Sequence, residues 1–188
     1  MNTSITKLGA GLVAATMALS VPAFAQNTMV GGAEMFPDRN IVENAVNSAD
    51  HTTLVAAVQA AGLAETLSGP GPFTVFAPTD AAFAKLPEGT VEDLLKPENL
   101  QTLQTILTCH VVPTEAFSPA VGRMVQQGGG TAALETVGGC TLTASIDPTT
   151  NALQITDENG NVATVNIPDV DQSNGVIHVI DTVLLPAS

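Results

Sequence analysis

Phe73-Thr-Val-Phe-Ala-Pro-Thr-Asp-Ala-Ala-Phe83 is the stretch whose reading decides the fold. Phe73, Val75 and Phe76 form a short apolar run of the kind that makes a buried strand. Ala77-Pro78 ends it, because the residue before a proline avoids the helical region. Thr79 or Asp80 can then cap a short helix whose inner face is Phe83. A second segment, Asn174-Gly-Val-Ile-His-Val-Ile180, turns sharply at Asn174-Gly175 and continues as a strand. Val176, His178 and Ile180 alternate there with Ile177 and Val179 on opposite faces. A histidine within such an apolar strand is more often a hydrogen-bonded structural group than a ligand. The same holds for His110, and Asp80 or a turn backbone group is the expected partner.

Working outward, Gln26 to Asn40 has no sustained period and reads as a lead-in arm. Ile41 to Ser48 predicts a short helix. A second helix follows, with Asp50 as N-cap and an apolar stripe of Leu54, Val55, Val58 and Ala61. Gly62 stops it, and Leu63 to Leu67 adds one more turn. Thr90 to Leu95 predicts another helix, with Glu92 and Asp93 suitably placed in its first turn. Pro97 starts a longer one whose Leu100, Leu103 and Leu107 share a face. Cys109 to Val112 reads as a strand, and Ser118-Pro119 opens a helix running to Met124. After the break at Gly128-Gly-Gly130, short strands dominate: 131–137, 141–146, 152–156, 162–167, 176–180 and 182–185. Helices gathered in the first half and strands in the second argue for an α+β class, not a βαβ parallel sheet.

The composition narrows the function. The chain has 188 residues, with 18 acidic against 5 basic side chains and a net charge of −13. It is 45% apolar, too hydrophobic for a disordered acidic chain. Such acidity repels phosphate backbones, and the absence of Trp and Tyr removes most base-stacking rings. Nucleic-acid binding is therefore excluded. The length suits one domain burying roughly two thirds of its unfolded surface.

Residues 1–25 read as a secretory signal peptide. Lys7 precedes an apolar run from Leu8 to Val21, and Ala23-Phe24-Ala25 satisfies the small-x-small cleavage rule. The run is shorter than the roughly 20 residues needed to span a bilayer, so the cleaved product is not an integral membrane protein. It is expected to be secreted, to the periplasm or to the cell exterior and surface, with residues 26–40 as an arm and 41–186 as one domain. Cys109 and Cys140 then meet an oxidising compartment, and a structural disulfide is the favoured reading. It would close a loop of about 31 residues and contribute roughly 3–4 kcal/mol. A reactive or metal-binding thiol pair is less favoured, since no CxxC exists and Cys109 and His110 would point to opposite faces of a strand.

Catalytic patterns are missing. There is no GxSxG, HExxH, P-loop or GxGxxG. His51, His110 and His178 are far apart in sequence. Asp169 to Gly175 has a faint likeness to a calcium loop, but its glycine falls one place late and no glutamate closes it. The sequence therefore predicts a non-enzymatic protein without cofactor or metal.

The two quoted segments are similar to the two signatures of fasciclin domains, TVFAPT(N/D)xAF and NGxxHxI. Ile106-Leu-Thr-Cys-His-Val111 falls where that family has a helix-to-strand segment ending in Tyr-His. The likeness runs from about Ile41 to Pro186 and resembles a single-module secreted bacterial member. It implies a fasciclin-like fold, with a helix-rich N-terminal half packed on a mostly antiparallel β-sandwich or wedge. It also implies that Thr79, Asp80, Asn174, Gly175 and His178 are fold-signature residues. The implied function is cell adhesion, with a cell-surface or extracellular-matrix protein or glycan as partner. In animal matrix members contact with integrin is assigned to a Pro-Asp-Ile element and to the Tyr-His segment. The matching residues are Pro168-Asp169-Val170 and Cys109-His110, which makes Asp169, Val170 and His110 the candidate interaction residues, with Asp169 as an exposed carboxylate. Isoleucine is replaced by Val170 and tyrosine by Cys109. The alternative function is a periplasmic ligand- or glycan-binding protein.

Overall fold

The computed structural model describes residues 27–187, so the expected signal peptide lies outside the described residues. The chain there begins with a hairpin. Gly31 and Gly32, at φ 57° and 75°, turn β1 (Met29–Val30) back onto β2 (Ala33–Glu34). Two consecutive positive-φ residues are what a two-residue hairpin loop of matching twist demands. The expected arm is thus partly built into the domain, with Val30 and Met35 buried in its core.

Three short helices follow: α1 (Ile41–Ala45), α2 (Thr52–Ala60) and α3 (Ala64–Ser68). A capping box between Asn40 and Glu43 starts α1. Asp50 does not cap α2, as the sequence suggested. The carboxylate of Asp80 does so from 28 residues away, accepting from the backbone N–H of Thr52 at 3.3 Å and of Thr53 at 2.8 Å. Asp80 reaches the site because its own N–H donates to the Asp50 carbonyl at 2.7 Å. Strand β3 (Phe73–Pro78) and helix α4 (Asp80–Phe83) come next, joined where proline and the Thr79 cap were expected. Helix α5 (Thr90–Leu94) and a 3-10 turn at Pro97–Asn99 lead into α6 (Leu100–Cys109).

The expected strand at Cys109 is corrected here. Leu103, Ile106 and Leu107 are buried on one face of α6, and Cys109, buried on another side, is its last residue. His110 caps that helix, and β4 keeps only Val111–Val112. Helix α7 (Ser118–Gln127) then precedes β5 (Thr131–Glu135), β6 (Thr141–Ile146), β7 (Leu153–Thr156), β8 (Val162–Gln172) and β9 (Gly175–Ile180). The expected strand at 182–185 does not form. Its backbone N–H groups go to side chains instead: Leu184 donates to His110 and Leu185 to Asp157, each at 2.9 Å.

The seven-stranded sheet runs β4-β3-β9-β8-β7-β6-β5. All neighbours are antiparallel except β3 and β9, which pair in parallel from Phe73↔Gly175 to Pro78↔Ile180. The two segments that carried the sequence reading therefore lie side by side inside the sheet, as its second and third strands. Every residue of β9 is buried, as a strand covered on both faces requires. Val75, Ile177 and Val179 face the core beneath α1, α2 and α6, whereas Phe76 and Ile180 face a second core with Val121 of α7, Leu142 and Ile155. A Cys109–Cys140 disulfide, Cα atoms 5.4 Å apart, joins the end of α6 to the start of β6. This is an α+β architecture with helices on a mostly antiparallel, nearly barrel-like sheet.

Candidate functional site

Asn174 spends its whole amide on holding segments together. Its Oδ1 accepts from the Ile41 N–H at 3.0 Å, starting α1. Its Nδ2 donates to the carbonyls of Leu67 at 2.8 Å and Gly69 at 2.9 Å, finishing α3. Gly175 follows it because the β3 backbone passes too close for any side chain: a Cβ would sit 2.0 Å from the Phe73 oxygen. Thr79 Oγ1 caps α4 by accepting from the Ala82 N–H at 3.2 Å. Burial acts to raise the Asp80 carboxyl, but hydrogen bonds from Thr52 and Thr53 outweigh it and hold the group below its ordinary range.

The two candidate histidines are satisfied by backbone, and Asp80 is partner to neither. His178 donates from Nε2 to the Ala116 carbonyl at 2.8 Å and accepts at Nδ1 from the Asp169 N–H at 3.2 Å. Its ring stacks on Phe76 with centroids 5.6 Å apart. His110 carries the opposite tautomer. Nδ1 donates to the Ile106 carbonyl at 2.8 Å, and Nε2 accepts from Leu184. Burial lowers the pKa of both and takes His110 to about 4, so both rings are neutral at pH 7.

Around Pro168-Asp169-Val170, β8 departs from its ladder with β9. The register shifts between Ile167 and Val170, and Asp169 adopts φ 58°. The carboxylate is not freely exposed, as the sequence suggested. Asp169 is half-buried and accepts from both the N–H and the hydroxyl of Ser118, capping α7 from a distant strand. Ser118 itself lies in the first turn, with Phe117 at the cap position. The Val170 and His110 side chains are 1% and 2% exposed, so neither presents a surface to a partner. What does face solvent is Asp171 and Pro168, the latter in the wall of a groove of about 490 Å³. Ser118, Pro119, Gln126, Asn151 and Pro168 line it, an uncharged mixture of apolar faces, hydroxyl and amides.

That groove escaped the sequence reading because its walls come from α7, the turn before β7 and the β8 bulge. The local turn signal there is Asp147-Pro148, and Asn151 completes the turn in the left-handed region at φ 59°. Among the described residues no group of three or more His, Cys, Asp or Glu could hold a metal ion. No helix among them is long and apolar enough to cross a membrane.

The comparisons agree with this geometry. The chain is 44% identical over 184 residues to Protein sll1483 of Synechocystis sp., covering 98% of this chain and 93% of that one. It is 40% identical over 137 residues to the transforming growth factor-beta-induced protein ig-h3 of Sus scrofa, covering 71% of this chain but only 17% of that protein. A solved FAS1 domain pair from the insect cell adhesion molecule Fasciclin I shares the fold, with a TM-score of 0.69 at 21% identity over 78% of this chain and 51% of that one. Residues 49–186 match the Fasciclin domain model, and the chain belongs to the fasciclin domain family.

Proposed function

We propose that the protein is a secreted, non-enzymatic adhesion module that meets a cell-surface or extracellular protein or glycan at the Pro168–Asp169 bulge and the groove beside it. The observation that carries this reading is the construction of the bulge. A left-handed aspartate held on the α7 N-terminus keeps Pro168 at the surface next to an uncharged groove. Fasciclin domains occur in cell adhesion proteins, the insect Fasciclin I among them. An uncharged lining of hydroxyl and amide groups suits neutral polar partners such as glycans or an extended peptide, and the strong negative charge of the whole chain disfavours acidic ones. The expected signal peptide is the basis for placing it in the periplasm or at the cell surface.

The test compares two kinds of variant in attachment of cells to a protein-coated surface. Gln126→Arg and Pro168→Arg alter exposed groove positions and are expected to reduce attachment at an unchanged melting temperature. Asp169→Ala is expected to lower both, by about 1 kcal/mol in stability, because it removes a helix cap. Full attachment by both Arg variants would refute the site. Attachment no better than an uncoated surface for the wild-type protein would refute the function.

A further inference from the structure

On the opposite side of the sheet, a cavity of about 50 Å³ lies between α1, α2, α6 and the β3–β9 pair. Its walls are almost wholly apolar, with Ile41, Leu54, Val58, Val75, Leu107 and Ile177 prominent among them. Four polar residues interrupt them, Ser48, His51, Gln59 and His110, and of these His51 stands apart. His51 is 3% exposed, and its Nδ1 lies 2.8 Å from Ser48 Oγ. Its Nε2 is the one buried side-chain nitrogen or oxygen without a hydrogen-bond partner among the described residues. The Ala77 carbonyl is near enough to favour the protonated ring but outside hydrogen-bond geometry. Burial prevails and lowers the His51 pKa, so the ring is neutral.

This exception stands out in a molecule that satisfies Asn174, His110 and His178 completely, since an unpaired buried polar group is destabilising. A lone water is a poor remedy. It needs two to four polar partners, yet His110 has both nitrogens engaged and the Ser48 hydroxyl is already bonded to His51 Nδ1. A molecule that is apolar along its length and carries one oxygen matches the wall and the nitrogen together. A hydroxyl fits best, because it can donate to or accept from Nε2 whichever way the Ser48–His51 bond is polarised. The space is about a third of the roughly 150 Å³ that admits benzene, so it holds a hydroxyl and the first carbons of a chain, and the rest must pass outward. The lining residues nearest solvent lie between α1 and α2, where Val42, Ala45 and Val55 are half-buried and Gln59 is exposed.

We propose that this cavity binds a neutral, unbranched aliphatic alcohol, its hydroxyl on His51 Nε2 and its chain leaving between α1 and α2. The site is separate from the adhesive groove and does not rest on the adhesion reading.

The probe is 1-hexanol, titrated into the protein with methyl resonances of Leu54, Val55, Val58 and Ile177 and the ¹⁵N shift of His51 Nε2 as readouts. Saturable shifts of all of them are expected. Hexanoate is expected to bind at least about tenfold more weakly, since its charge would have to be buried. His51→Leu should keep its fold, judged by melting temperature, while affinity for 1-hexanol falls about fivefold to tenfold, the worth of one hydrogen bond. Val55→Phe, a half-buried change in the lining that leaves His51 intact, should block the shifts of Leu54, Val58, Ile177 and His51. Absence of saturable shifts, wild-type affinity in His51→Leu, or a water held on Nε2 that 1-hexanol fails to displace would each overturn the proposal.

Discussion

Lowering the pH from 7 to 5 should destabilise this protein through its buried histidines, and His110 gives the size of the effect. In the unfolded chain its imidazole titrates near 6.5, whereas burial takes it to about 4 in the fold. A histidine with a depressed folded pKa contributes fully above pH 6.5. That contribution is lost as pH falls towards 4, because only the unfolded state gains a proton in that interval. The full difference is about 3 kcal/mol, and about 2 kcal/mol of it is gone by pH 5. The structural cause is plain: a proton added to Nε2 would meet the Leu184 N–H that already points at it. His178 and His51 shift in the same direction, so the wild-type loss should exceed the His110 share. The acids held low by hydrogen bonds, Asp80, Asp147, Glu158 and Asp181, lose their contribution only as pH falls through the carboxylate range, below this window. The assay is urea unfolding at pH 7 and pH 5 for the wild type and His110→Gln. Glutamine offers a donor and an acceptor but does not titrate. The variant should start less stable at pH 7, yet lose about 2 kcal/mol less than the wild type on going to pH 5. Equal pH dependence in the two proteins would refute the reasoning.

Two further outcomes test the centre of the sheet and its crosslink. Gly175→Ala should cost at least about 2 kcal/mol or prevent folding, because its Cβ would collide with the Phe73 carbonyl; a urea midpoint near that of the wild type would contradict the close approach. The protein unfolded without reductant should show no free thiol on titration, and the double variant Cys109→Ala, Cys140→Ala should be less stable by about 3–4 kcal/mol.

The legible parts of the fold were those in which neighbouring residues decide the outcome. Phe73–Pro78 became a strand, and Thr79 capped the next turn, because both follow from local sterics and a side chain three residues from its partner. The errors fall where a distant residue supplies what the local sequence lacks. Asp50 has the chemistry of a cap, yet Asp80 is delivered to the same N-terminus by the end of β3. Ser118 looked like a cap, and Asp169 performs that role from β8. The strand expected over 162–167 is longer, because β8 absorbs Pro168 in a bulge and continues to Gln172. At Cys109-His110-Val111-Val112 a short buried stretch fits helix and strand equally well, and only packing of the preceding turn settles it. Of the candidate contact residues, Val170 and His110 lie inside and Asp169 is engaged with Ser118. Sequence alone does not reveal which side of a sheet becomes solvent. The Gly31-Gly32 hairpin was readable from its dipeptide and was missed for want of strand length on either side.

The interior place of β9 has a consequence for how the molecule can be assembled. The strands on its two sides, β4-β3 and β8-β7-β6-β5, share no ladder with one another; only the last strand to appear joins them. A chain emerging N-terminus first can form its helices and both partial sheets, but it has no continuous sheet until Gly175–Ile180 slides between two strands made earlier. The Cys109–Cys140 bond lies before that point in the chain and ties α6 to β6 across the same divide. It acts as a clasp that holds the halves within reach while the keystone is still missing.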